Sequence, residues 1–115
     1  MGLDVYLQAT IDTGDVEPIT VDIYHGSVSH NCNAMAMVAG CYHAVWRPDE
    51  IGIETAKDLI PHLENGILEM REKKLELMRH EPANGFGSYE GLLRFLESYL
   101  SACRRNPKTK VYACR

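Results

Sequence analysis

The chain is short of the features that most directly announce a function. The uncharged run that ends at Trp46 is broken by His, Asn, Ser and Gly, so no stretch reads as a bilayer span. The N-terminus, MGLDVYL, has no basic segment ahead of an apolar one and does not read as a signal peptide, which places the protein in the cytoplasm. No broad basic face is present either. The net charge is −4, with acidic and basic residues mixed along 115 residues. A generic duplex nucleic-acid binder, which must neutralise phosphates, is disfavoured. Internal repeats and low-complexity linkers are missing, and a length of 115 residues fits a single domain spanning 1–115 with one core.

Motifs tied to one reaction are scarce as well. Cys32, Cys41, Cys103 and Cys114 show no C-x-x-C spacing, and without an export signal they read as reduced, mostly buried thiols. His25, His30, Cys32, Cys41 and His43 have the donor types of a zinc site, but neither H-x-x-x-H nor C-x-x-C occurs, so no metal and no cofactor is expected. G-x-S-x-G and P-loop patterns are missing too. Asp49 and Glu50 follow Pro48 and suit a helix start better than paired acid–base work.

What is present is periodicity. Leu3, Val5 and Leu7 alternate with Asp4, Tyr6 and Gln8, and Ile19, Val21 and Ile23 alternate with Thr20, Asp22 and Tyr24, as in half-buried strands. Asp12 to Asp15 provide turn chemistry between them, giving an antiparallel hairpin with Pro18 at the edge of the second strand. A helical segment follows a cap at Ser29, Asn31 or Asn33, with Ala34, Val38, Cys41, Tyr42 and Val45 as its core face. Small residues at Ala36, Ala39 and Gly40 admit close approach of another element, and Pro48 stops the helix. A second helix starts near Thr55 and runs through Leu59, Leu63, Ile67 and Met70, with a kink or restart expected near Pro61 and a weak point at Gly66. Ser88 caps a third, striped by Leu92, Phe95, Leu96, Tyr99, Leu100 and Cys103 and ending near Asn106. Lys108 to Cys114 reads as a last strand beside the first. The expected fold is α+β: a small antiparallel sheet of about three strands with about three helices packed on one face.

The densest chemistry lies in SHNCNAMAMVAGCYHAVWRP, residues 29–48. Ser29, His30 and Asn31 combine a cap, an imidazole that exchanges a proton near neutral pH, and an amide. Trp46 and Arg47 add a stacking plane and a planar cation. The same residue types also serve as caps, a bonded structural histidine and core. The loop Asn84, Gly85, Phe86, Gly87 opens into Ser88 and Tyr89 at a helix start, where backbone amides favour anions and Phe86 and Tyr89 could stack on a ring. An ordinary capped turn explains it equally well.

Taken together, the LDVYL strand, the SHN triplet, Met35 with Ala36, WRPDE, NGFG with Tyr89 and the YLSAC helix end resemble a family of small uncharacterised proteins encoded by phages and prophages. The family pattern has THN, WRPEE and NGWG, so Ser29 replaces Thr conservatively, and Phe86 keeps an aromatic where Trp is usual but loses its N–H donor. The resemblance covers most of the chain and implies a phage origin, action in the host cytoplasm, and a grouping of His30, Asn31, Trp46, Arg47, Gly85 and Tyr89.

The favoured reading is a non-catalytic accessory protein that binds a small polar, nucleotide-like ligand and sequesters a host signal. Its ligand-binding residues are Ser29, His30, Asn31, Trp46, Arg47, Gly85, Phe86 and Tyr89, and no catalytic residue is assigned. The alternatives are a protein-interaction module or inhibitor of a host protein, with Trp46, Phe86 and Tyr89 as contacts, and a small hydrolase using His30 as general base. A homo-oligomer is compatible with so small a chain.

Overall fold

Strand β1 (Gly2–Ile11) is the centre of the molecule. It pairs antiparallel with β2 (Ile19–Ser29) on one side and with β3 (Lys110–Cys114) on the other, in the order β2-β1-β3. The computed structural model describes residues 2–83, 85 and 87–115. Between the outer strands run a 3-10 turn (His30–Cys32), α1 (Asn33–Val38), α2 (Tyr42–Trp46), a second 3-10 turn (Pro48–Ile51), α3 (Ala56–Glu72), α4 (Lys74–Met78) and α5 (Tyr89–Arg105). The α+β class and three-stranded antiparallel sheet expected from the sequence are observed.

Leu3, Val5 and Leu7 are fully buried against the helices, as their alternation requires. β2 does not keep the alternation read from its sequence. Leu7 opposes Tyr24 while Gln8 opposes Asp22, leaving Ile23 as an extra, bulged residue. The bulge flips the facing of the rest of the strand, so Tyr24, Gly26 and Val28 point inwards, and the Tyr24 ring stacks on Tyr99 at 5.9 Å. Ile23 is exposed instead of core.

The segment after Ser29 is likewise not one helix. Gly40 adopts φ +78, its N–H donates to Met37 O at 3.1 Å, and Cys41 N–H donates to Ala36 O at 3.0 Å. This pair of bonds terminates α1 in the manner that glycine in the left-handed region favours. The chain restarts as α2 in a new direction, and the buried set becomes Cys32, Met35, Ala36, Ala39, Cys41, Ala44, Val45 and Trp46. Ala34, Val38 and Tyr42 are only partly buried.

α3 begins with a capping box. Asp58 Oδ2 accepts the N–H of Thr55 at 3.2 Å and of Glu54 at 3.3 Å, and these bonds hold its carboxyl below the usual range. The helix runs through Pro61 without a restart and ends at Glu72, the break falling at Lys73 instead. Pro61 is exposed in the early turns, where its ring meets solvent. Gly66 is not a weak point but a close approach: a Cβ there would lie 2.8 Å from Cys41 Cβ and 3.1 Å from its Sγ. α5 carries the predicted stripe, with Leu92, Phe95, Leu96, Tyr99, Leu100 and Cys103 all buried, and Ser88 Oγ caps it by accepting from Gly91 N–H at 3.0 Å.

Candidate functional site

Ser29 ends β2 and its Oγ accepts the N–H of Asn31 at 3.2 Å, so the predicted cap is real but closes the 3-10 turn. That turn presents His30 towards α2. Trp46 Nε1–H donates to His30 Nδ1 at 3.1 Å. An imidazole that accepts at Nδ1 carries its proton on Nε2, which leaves one donor directed elsewhere. The indole itself is only 2% exposed, with Tyr42 stacked on it at 5.5 Å, so Trp46 is core and joins α2 to the strand exit.

Arg47 is held rather than open. Its Nε donates to Tyr42 Oη at 3.3 Å and an Nη donates to Glu50 at 2.7 Å, and these two bonds, Tyr42 first, raise the guanidinium pKa further. Arg115 donates to the carbonyl of Trp46 at 3.0 Å and lies 3.7 Å from Asp49. Cation and carboxylate therefore alternate along this exit.

The glycine-bearing loop comes to the same turn. Gly87 has φ +99, and a Cβ on it would stand 3.0 Å from Cys32 Sγ, 3.5 Å from Ser29 Cβ and 3.6 Å from Asn31 Cβ. Backbone of the loop thus lies directly on the SHN turn, which only glycine permits. Gly85 also has positive φ, at +78, and is exposed. Phe86 lies outside the described residues, and so does Asn84. Tyr89 is 2% exposed, with its hydroxyl donating to Met70 O at 2.8 Å and its N–H to Glu81 at 2.8 Å. It ties α5 to α3 and offers no open ring face for stacking.

The structure thus joins His30 to Trp46, Arg47 to Tyr42 and Glu50, and Ser29 and Asn31 to Gly87. Among the described residues, no hydroxyl, thiol or carboxylate hydrogen-bonds to His30, and no three metal-ligating side chains converge. Clefts lie elsewhere. One of about 610 Å³ runs between α3 and α5, over Ile67 and Leu100 and between the ion pairs Arg71–Glu97 and Arg104–Glu64. Another, of about 380 Å³, borders the Trp46–Arg47 exit at Pro48, Asp49, Ile53, Tyr112 and Arg115.

A further surface, marked by no sequence motif, is the face of the sheet that none of the described helices covers. Strand register sets His25, Tyr6 and Tyr112 in one row across β2, β1 and β3. The Tyr6 and His25 rings stack at 4.8 Å and 11°, and Tyr6 and Tyr112 lie 5.9 Å apart. On one side of the row stand Ser27, Asp4 and Cys114, and on the other Asp22, Gln8 and Lys110. His25 Nε2–H donates to Asp4 at 2.8 Å, and Gln8 donates to Asp22 at 3.0 Å. Partial burial, then the nearby acids Asp4, Cys114 and Asp22, push up the Tyr6 phenol. The alternation Asp4, Tyr6, Gln8 and the expected pairing of the last strand beside the first are its sequence signals; the register that sets Tyr112 opposite Tyr6 and the bulge that turns His25 outwards have none. Among the described residues no helix is long and apolar enough to cross a membrane.

Comparison with family models, with curated proteins and with solved structures finds no match for this chain.

Proposed function

We propose that this protein is a non-catalytic interaction module whose docking face is the open sheet surface around His25, Tyr6 and Tyr112. The observation that carries the reading is that row of three rings, flanked by Asp4 and Asp22 on a face that none of the described helices covers. Tyrosine offers large contact area at low conformational cost, and a partner cation gains both from ring faces and from adjacent carboxylates. The partner is accordingly a protein that presents an arginine or lysine, and a host protein follows if the chain is of phage origin. Phosphate backbones are repelled by the same carboxylates. Trp46 and Tyr89, buried at 2% each, act as core in this reading. Affinity capture from host lysate, with Tyr112→Ala in parallel, tests it. A partner retained by the native chain and reduced at least tenfold by Tyr112→Ala is the expected result, whereas equal retention overturns the assignment of the face.

A second reading, binding of a small polar ligand, is supported by the cleft of about 380 Å³ at Asp49 and Arg115 beside Arg47. Native mass spectrometry of the protein as purified separates the two. A bound mass of nucleotide size, diminished by Arg115→Ala, favours the ligand. A bare chain favours the interaction module.

A further inference from the structure

The sheet has one edge covered and one edge open. On the outer side of β3, Val111 N–H donates to Glu54 O at 2.9 Å and Thr55 bridges Lys110, so that edge is occupied. On the outer side of β2, no backbone group bonds to Ile19–Val28 among the described residues. Such edges are ordinarily guarded by lysine, proline, a bulge or shortness. This one runs 11 residues and holds neither lysine nor proline, and of these devices it has only the bulge at Ile23.

The bulge at Ile23 gives this edge an unusual symmetry. Before it, Ile19 and Val21 face inwards; after it, Tyr24, Gly26 and Val28 do. When a strand pairs antiparallel with its own copy about a twofold axis, residues set opposite each other must share a face. The register that opposes Ile19 with Val28 also opposes Val21 with Gly26 on the inner face, and Thr20 with Ser27 and Asp22 with His25 on the outer face. An unbulged strand would set inner residues against outer ones in that register. In its imidazolium form His25 gives Nε2–H to Asp4 and has Nδ1–H left for Asp22 of the second copy.

We infer that β2 is a homodimer edge, at which two copies of this chain join their three-stranded sheets into one continuous sheet. The shape of the chain fits this assembly. Past Gln8, the last β1 residue paired with β3, the hairpin continues alone, with Ile11 and Ile19 47% and 51% exposed on its helix-side face. In the dimer this arm lies along the Gly26–Val28 half of the other copy's β2. That half lies between two contacts with α5, the Tyr24–Tyr99 stack before it and the approach of Cys32 Sγ to Ser88 O at 4.0 Å after it. The apolar side of the arm passes from water to the helix layer of the second copy. The two aromatic rows then lie on the same outer face, so the dimer presents the proposed docking surface twice without depending on it.

The test combines mass and register. Sedimentation equilibrium of the full chain at tens of micromolar is expected to give a dimer, and Ile19→Lys to weaken it by roughly 100-fold or more, since each contact is lost twice. Ile19 is half exposed in the single chain, so circular dichroism of Ile19→Lys should match the native spectrum. In a Cys114→Ser background, mixing Thr20→Cys and Ser27→Cys chains under oxidation should yield a covalent dimer, while Thr20→Cys alone should not. A monomer at these concentrations, a dimer indifferent to Ile19→Lys, or failure of the mixed pair to cross-link would each overturn the assignment.

Discussion

Cys41 Cβ occupies the space that a side chain on Gly66 would need, 2.8 Å from where that Cβ would stand. The glycine sits in the middle of a 17-residue helix, where alanine would ordinarily gain about 1 kcal/mol. Here the contact reverses the sign. Gly66→Ala is expected to lower stability by about 1–3 kcal/mol, because the helices must separate or α2 must shift. Urea unfolding of Gly66→Ala, Cys41→Gly and the double variant checks this: a coupling near zero between the two sites would remove the explanation.

His30 holds the only tryptophan of the chain. His30→Ala leaves a buried indole N–H without its acceptor, at a cost of about 1–3 kcal/mol. Trp46→Phe in the His30→Ala background should then cost less than Trp46→Phe alone, since the donor has already lost its partner. Trp46 fluorescence, blue-shifted in the native state by burial, provides the unfolding signal for His30→Ala. Near-UV circular dichroism serves the variants without tryptophan.

Burial pushes the thiols of Cys41 and Cys103 up to about 12 from an ordinary 9.0, whereas Cys114 is exposed. Iodoacetamide at neutral pH should therefore modify Cys114 alone in the folded chain and all four cysteines in urea, as read by intact mass. The same shift sets a pH dependence. From pH 9.0 upwards the unfolded chain gives up these protons while the folded chain keeps them until about 12, so stability falls as pH rises through that window. Below pH 9.0 both forms are protonated and these thiols contribute no slope. Cys41→Ala with Cys103→Ala should flatten the alkaline fall.

The hydroxyl of Tyr99 is buried with no hydrogen-bond partner among the described residues, beneath the ring of Tyr24. Keeping a polar group there costs folding free energy, and burial holds the phenol far above its usual pKa. Tyr99→Phe should leave the protein equally stable or more stable by up to about 2 kcal/mol. A loss of more than about 1 kcal/mol in thermal unfolding would mean that the hydroxyl has a partner after all.

Much of the fold could be read in advance because it rests on local signals. Leu3, Val5 and Leu7 alternate cleanly, Ser88 caps α5, and the stripe from Leu92 to Cys103 has no interruption. Expectation and structure part where one residue acts through geometry rather than type. Ile23 fits an alternating pattern in sequence and is displaced from it by a bulge opposite the Leu7–Gln8 step. Gly40 reads as a small packing residue and is a helix terminus. At the candidate site, the residue types at 29–31 and 46–47 were legible, but not that Trp46 and His30 would spend their polar atoms on each other. The strand order was legible, but the row of His25, Tyr6 and Tyr112 was not, because it depends on the register and on the bulge at Ile23 that turns His25 to the open face.

That order sets a timetable for folding. Leu7 can meet Tyr24 as soon as β2 is made, but its other neighbour, Val111, follows roughly a hundred residues later. Until then the β3 side of β1 stays bare, and α5, the last helix of the layer, is complete only at Arg105. The nascent chain therefore carries its stickiest strand first and its cover last. The interval between the two is when a chaperone, or another hairpin of the same kind, has the most to bind.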